Sequence, residues 1–283
     1  MASPFRAACV IGWPVEHSRS PLIHNYWLAK YGLPGDYRKE AVRPEDFSAF
    51  VKELSARGYV GANVTLPHKE AALNVSEPDA QALAIGAANT LWIEDGRLRA
   101  TNTDVEGFLG NLDACVPGWD RGLRTAVVLG AGGAARAVVY ALRTRRIARV
   151  FVVNRTLAKA ETLARSFGEH VHPRRWSELG EVLPPAGLLV NTTSLGMTGQ
   201  PPLEIDISPL GSRAVVCDIV YSPLRTPLLA RAEQMHLDTA DGLGMLLHQA
   251  VRGFALWFGV TPEVTPDLRA LLEQDLQSHE RHA

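Results

Sequence analysis

The sequence predicts an α/β protein of two domains, the second built on a doubly wound parallel sheet. Apolar runs of roughly four to eight residues alternate with stretches of helical period along most of the chain, the pattern of strands covered on both faces by crossover helices. The glycine-rich turn Gly130-Ala131-Gly132-Gly133-Ala134-Ala135 leaves one such run and opens a helical stretch. At 283 residues the chain has the length of two ordinary domains.

In chain order, residues 7–13 form a short apolar run that Pro14 ends. Residues 21–31 have helical spacing, with Leu22, Tyr26 and Ala29 on one side. Ser20, ahead of Pro21, reads as the N-cap of that helix. Residues 36–42 read as a strand, and 44–57 as a helix with Pro44 in its first turn and Phe47, Phe50, Val51 and Leu54 on one face. A strand over 59–66 is closed by Pro67, and 89–94 and 97–101 flank Asp95-Gly96 as a hairpin. A helix starting near Asp104 leads out of this first α/β unit. The second unit begins with strand 124–129, the glycine turn and a helix over 134–144. A strand at 150–153, a helix at 157–167, strands at 187–190 and 214–221 and a helix at 227–235 continue the alternation. Residues 174–185 read as a surface connection, and the last apolar helix, 245–258, follows Asp241-Gly242-Leu243-Gly244.

Composition narrows the function classes. Twenty-nine basic residues stand against 30 acidic ones, a net charge of -1, without the basic surplus of a general nucleic-acid binder. No apolar stretch is long enough to predict a membrane span, and the first residues lack the apolar core of a secretory signal. Three cysteines, none in a Cys-x-x-Cys pair, exclude a disulfide framework. Cys9 and Cys217 lie in strand-like runs and read as small buried hydrophobes of a reducing compartment. Nine histidines are scattered, so no metal site is expected. The expected protein is cytoplasmic, a monomer or homodimer, with a small-molecule substrate and neither nucleic-acid nor membrane partner.

The glycine turn points to a dinucleotide. Gly130-x-Gly132-x-x-Ala135 lies between a strand and a helix, where glycines let a pyrophosphate approach the backbone and the helix N-terminus offers free N–H groups. NAD-binding folds place a carboxylate at the end of the second strand to hold the ribose 2′-hydroxyl. Here Val153-Asn154-Arg155-Thr156 stands in that place. Arg155 can pair with a 2′-phosphate, and Lys159, four residues on, shares its face if the helix starts near Thr156. The expected cofactor is therefore NADP(H). Thr192, Ser194 and Met197, at the end of the fourth strand, are candidates for the ribose–nicotinamide side.

Four polar clusters mark the first unit: Ser18-Arg19-Ser20-Pro21, Asn63-Val64-Thr65-Leu66-Pro67-His68-Lys69, Ala87-Ala88-Asn89-Thr90 and Thr101-Asn102-Thr103-Asp104. Further along come Thr193-Ser194-x-Gly196-Met197, Asp218-x-x-Tyr221-x-Pro223-x-x-Thr226 and Gly242-x-x-Met245-Leu246-x-x-Gln249-Ala250. With the glycine turn and Asn154-Arg155-Thr156, these ordered motifs cover nearly the whole chain and resemble the shikimate dehydrogenase family.

The resemblance implies reversible NADPH-dependent reduction of 3-dehydroshikimate to shikimate, in aromatic amino-acid biosynthesis. It implies that Lys69 and Asp104 form the catalytic pair, with Lys69 the family's lysine and Asp104 its carboxylate. It places Ser18, Ser20 and Tyr221 at the substrate carboxylate, and Asn63, Thr65, Lys69, Asn89, Asp104 and Gln249 around the ring hydroxyls. It places Gly130, Ala131, Gly132, Gly133, Ala134, Asn154, Arg155, Thr156, Lys159, Thr192, Ser194, Met197, Gly242 and Met245 at the cofactor. Residues 1–105 plus 243–283 would form the substrate domain and 106–242 the Rossmann-type NADP domain, the C-terminal helices returning to the first, with the substrate in the interdomain cleft. His68 stands where the family often has Phe and reads as a packing residue. Alternatives are a quinate/shikimate dehydrogenase of broader substrate or cofactor range, and a non-catalytic NADP-sensing homologue.

Overall fold

The computed structural model describes residues 4–280 and divides the chain into two compact units. One comprises the residues up to Thr103 with Gln249–Leu272; the other comprises Asp104–His248 with the residues from Glu273 on.

The first unit begins β1 (Arg6–Gly12), α1 (Ser20–Lys30), β2 (Gly35–Ala41), α2 (Phe47–Lys52), β3 (Tyr59–Val64) and α3 (Lys69–Asn74). It continues β4 (Glu77–Pro78), α4 (Ala80–Ile85), β5 (Thr90–Glu94) and β6 (Arg97–Thr101). Its sheet runs β2-β1-β3-β5-β6-β4. β1 pairs in parallel with β2 and β3, whereas β5 is antiparallel to β3 and to β6. Asp95 and Gly96, both at positive φ, close the expected hairpin. The core, around Ile11, Phe47, Leu54 and Leu91, fills one side of this sheet.

Two expectations change here. The helix read over 44–57 contracts to the six residues of α2, because the Glu53 N–H already turns to Phe50 as well as Ala49 and tightens the last turn. Ser20 is the first residue of α1, whose N-cap is Arg19; the capping hydroxyl is instead Ser18, whose Oγ accepts from Ser20 N at 3.3 Å.

Among the buried residues of this unit, His24 is the outlier. Its ring stacks on Tyr37 at 4.1 Å and 15°, and neither ring nitrogen has a hydrogen-bond partner. Burial pushes its pKa down from 6.5 to about 3, and the nearby Asn63 amide, which acts to raise it, offsets only part of that. The folded chain therefore keeps this imidazole neutral where the unfolded chain protonates it. Stability attached to His24 is present above pH 6.5 and drains as pH falls toward 3, by up to about 1.4 kcal/mol per pH unit. His24→Phe should flatten the fall in urea-unfolding free energy between neutral and mildly acid pH; an unchanged slope would show that another group carries it.

The second unit contains α5 (Asp104–Cys115), β7 (Thr125–Leu129), α6 (Gly133–Thr144), β8 (Arg149–Asn154), α7 (Leu157–Phe167), β9 (Val171–Arg175) and α8 (Leu179–Val182). β10 (Leu188–Asn191), β11 (Val215–Asp218), α9 (Pro227–Gln234) and β12 (Asp238–Ala240) follow. Helices α10 (Gly242–Phe258) and α11 (Pro266–Glu280) each contribute residues to both units. All six strands are parallel, in the order β12-β11-β10-β7-β8-β9. This is the Rossmann order, with its switch point between β7 and β10. β7 and β10 are wholly buried, so their uninterrupted apolar runs are what the sheet position requires.

Candidate active site

The cofactor-side residues gather at the carboxyl ends of β7, β8 and β10. Gly130 leaves β7 at φ +103°, and a Cβ there would also meet Thr192 Oγ1 at 2.8 Å and Thr193 Cγ2 at 3.0 Å. Only glycine satisfies both constraints. Gly132 caps the 12-residue α6 without a side-chain hydrogen bond, so the helix's first N–H groups are left to a ligand or to solvent. A Cβ on Gly132 or Gly133 would meet nothing within 4 Å, so these glycines face open space, as a pyrophosphate would need. Ala131 completes the turn, and Ala134 is the second residue of α6.

Beside it lies a cavity of about 280 Å³ lined by Ala131, Arg136, Ala158, Lys159, Thr162 and Leu163. It has two cations and no carboxylate on its walls. Asn154 at the end of β8 donates Nδ2 to the Thr156 carbonyl at 2.8 Å, bracing the exposed Arg155 between them. α7 starts at Leu157 with Thr156 as N-cap, the bounds the sequence predicts, so Arg155 directly precedes the cap and Lys159 sits in the first turn. The residues present thus fit a dinucleotide carrying a further phosphate. Arg136 was not singled out in the sequence. Its position one turn after Gly132, on the helix that the glycine turn opens, is the signal that could have found it.

Thr192 Oγ1 donates to the Leu129 carbonyl at 2.6 Å and ties β10's exit to β7. Ser194 and Met197 are exposed on the same loop. The Asp218 motif proves to be scaffolding: its carboxylate accepts from Asn191 Nδ2 at 2.9 Å, Val220 N at 3.1 Å and Thr226 Oγ1 at 2.7 Å. Burial raises its pKa against those three donors. Tyr221 follows directly and is half-buried. Gly242 opens α10 so close to β11's exit that a Cβ would lie 2.3 Å from the Ile219 carbonyl oxygen; Met245, one turn on, is buried.

On the substrate side, Ser18 and Ser20 lie at the entry to α1, both half-buried. Thr65 N donates to the Ile11 carbonyl at 2.9 Å, fixing the turn after β3. Lys69 is the first residue of α3, and its carbonyl accepts from Ala88 N at 2.9 Å, which ties that turn to the Asn89 segment. Asn63, Asn89 and Gln249 belong to one network. Asn63 Nδ2 donates to the Asn89 carbonyl at 3.2 Å and to Thr90 Oγ1 at 3.1 Å. Asn89 Oδ1 accepts from Thr103 N at 2.7 Å and Thr90 Oγ1 at 3.0 Å, and its Nδ2 donates to Gln249 Oε1 at 3.4 Å. Such a neutral amide–hydroxyl lattice can exchange hydrogen bonds with a polyhydroxylated ligand without burying a charge.

His68 is a packing residue, as expected. Its ring stacks on Phe47 at 4.5 Å and Nε2 is 2.8 Å from the Val42 carbonyl oxygen. Asp104 is buried as the first residue of α5 and belongs to the second unit, Lys69 to the first. Among the described residues no cluster of His, Cys, Asp and Glu could hold a metal ion, and no helix is long and apolar enough to cross a membrane.

Three family models match. The shikimate dehydrogenase substrate-binding domain covers residues 10–91, shikimate/quinate 5-dehydrogenase 120–197, and the shikimate 5′-dehydrogenase C-terminal domain 242–272. The shikimate dehydrogenase (NADP+) of Nitrobacter hamburgensis is 62% identical over 272 residues, 96% of this chain and 95% of that one. The chain belongs to the shikimate dehydrogenase family.

Solved structures of the family agree in fold. Shikimate 5-dehydrogenase of Thermus thermophilus, in complex with NADP(H) and shikimate, is 36% identical over 96% of this chain and 99% of that one, with a TM-score of 0.81. Quinate dehydrogenase of Corynebacterium glutamicum, in complex with NAD, is 30% identical over 96% and 100%, with a TM-score of 0.89. A family whose solved members hold either nicotinamide cofactor makes the β8 exit the place to read cofactor choice, and in this member that exit carries Asn154 and Arg155.

Proposed function

We propose that the protein catalyses the reversible NADP-dependent reduction of 3-dehydroshikimate to shikimate, with Lys69 and Asp104 as its acid–base couple. The observation that carries the substrate side is the amide–hydroxyl network of Asn63, Asn89 and Gln249. It suits a small ring bearing several hydroxyls. The cofactor side rests on the carboxylate-free cavity beside the glycine turn.

NADPH, when bound, supplies hydride to the carbonyl carbon. Negative charge then grows on the carbonyl oxygen, and the Lys69–Asp104 couple protonates that oxygen as it forms. In the oxidative direction the same couple takes the hydroxyl proton. Ser18, Ser20 and Tyr221 hydrogen-bond the substrate carboxylate, neutral donors for an anion that must leave at every turnover. Asn63, Thr65, Asn89 and Gln249, with the couple itself, hold the ring hydroxyls. Gly130 to Ala134 and the α6 N-terminus receive the pyrophosphate. Asn154, Arg155, Thr156 and Lys159 receive the adenosine 2′-phosphate, and Thr192, Ser194, Met197, Gly242 and Met245 line the ribose–nicotinamide half. Residues 1–105 with 243–283 do the substrate work and 106–242 hold the cofactor, with Met245 added from the start of α10. The protein acts in the cytoplasm as a monomer or homodimer.

Initial rates of nicotinamide reduction with shikimate or quinate, each with NADP+ or NAD+, test this reading. Shikimate with NADP+ should give the highest kcat/KM. Quinate with NAD+ turning over as well or better would transfer the protein to the broader quinate/shikimate class. Absence of turnover in all four mixtures would leave the sensing homologue.

A further inference from the structure

Strand β2 is polar along its length, and Tyr37 is the residue it buries. That phenol is 2% exposed. Tyr37 Oη donates to Asn63 Oδ1 at 2.6 Å, and the Ser20 side chain acts on the same phenol, lowering its pKa against the rise that burial causes. One buried hydroxyl therefore touches one residue that the proposed function places on the substrate and feels a second.

The phenol is held on every side. Asn25 brackets its backbone, with Nδ2 donating to the Tyr37 carbonyl at 3.0 Å and Oδ1 accepting from Tyr37 N at 2.9 Å. The His24 ring lies flat on it at 4.1 Å, and the Trp257 ring sits 5.8 Å away. Asn63 in turn has its amide sense fixed. The Asn89 carbonyl can only accept, so Nδ2 must face it and Oδ1 must face Tyr37. A carbonyl oxygen has two lone pairs, and Tyr37 takes one. The other leaves room for a second donor.

We propose that Tyr37 is a positioning residue for the substrate half of the reaction, setting the amide of Asn63 and the hydroxyl of Ser20 for the substrate ring and its carboxylate. The proposal deepens the functional reading above and rests on its assignment of Asn63. Without the phenol hydroxyl, Asn63 Oδ1 loses a donor, and the amide, its sense still set by the Asn89 carbonyl, loses the second anchor that fixes its tilt.

Tyr37→Phe removes one oxygen and leaves the stacked ring. It should raise the KM for shikimate roughly five- to thirtyfold, as loss of a buried hydrogen bond to a binding group does. The KM for NADP+ and the thermal midpoint should stay near the parent values. A purely structural tyrosine would instead lower the midpoint and move both constants together. The partner measurement is the cycle with Asn63→Ala. If Tyr37 acts through Asn63, most of its effect disappears in the Asn63→Ala background. Full additivity, or an unchanged shikimate KM in Tyr37→Phe while Asn63→Ala raises it, overturns the proposal and leaves the functional reading standing. An unchanged KM in Asn63→Ala itself overturns both. Shikimate binding to the cofactor-free protein by calorimetry gives the same comparison without turnover.

Discussion

Replacing Lys69 with alanine should lower kcat by ~10²–10⁴-fold while shikimate binding changes far less. The reason is where charge develops. Shikimate and 3-dehydroshikimate are neutral at the reacting oxygen before hydride moves, and negative charge appears there only on the way to the transition state. A proton donor acting at that moment stabilises the transition state and not the bound ground state, so its loss falls on kcat. The backbone bond from Ala88 N to the Lys69 carbonyl, which ties that turn to the Asn89 segment, is kept by alanine. Steady-state kinetics with calorimetric shikimate binding separates the two effects. Turnover equal to the parent in Lys69→Ala would remove Lys69 from the chemistry.

The second large effect concerns cofactor choice. Arg155→Ala should raise the KM for NADPH by roughly ten- to hundredfold, the loss expected for a charged hydrogen bond to phosphate. The KM for NADH should change by less than about twofold, since its ribose 2′-hydroxyl carries no charge to lose. Arg155 is exposed, so high salt should shrink the difference between the two cofactors in the parent protein. Kinetics with both cofactors at two ionic strengths measures this. An equal rise in both constants would mean that Arg155 supports the loop rather than reading the phosphate.

The second unit was legible in the sequence because its physics is local and repetitive. β7 and β10 are buried from end to end, so their composition alone announces them, and Gly130 sits where only glycine fits. β9 was hidden: Val-His-Pro-Arg-Arg is an edge strand with polar side chains, and its start lies in a segment with no apolar pattern. β4 and β12 have two and three residues, too few for a period to show. In the first unit, α3 and α4 are six residues each and carry no amphipathic repeat. The α4 start was nevertheless written in the chain: Asp79 Oδ1 accepts from Ala82 N at 2.8 Å, an ordinary N-cap.

The site was legible as motifs but not as a network. Asn63, Asn89 and Gln249 could each be named from the sequence, yet nothing in their spacing says that Asn89 Nδ2 reaches an amide 160 positions away. Tyr37 escaped notice for the same reason. A lone tyrosine in a polar strand has no sequence signature, and its importance comes from the strand's register beside β1, which turns it inward over His24. Arg136 differs: the helix that follows the glycine turn fixes its position. The role of Asp218 was legible only in part: Val220 and Thr226 lie in its own motif, but its third donor, Asn191, comes from the end of β10.

The central claim is that one ammonium–carboxylate couple serves one oxygen of the substrate. A crystal structure of the protein with shikimate and NADP+ tests it most directly. Lys69 Nζ and a carboxylate oxygen of Asp104 should both lie within about 3.2 Å of the same ring hydroxyl oxygen, on the carbon that faces the nicotinamide. A complex in which either group lies beyond hydrogen-bond reach of that oxygen, or in which the two address different hydroxyls, would contradict the account.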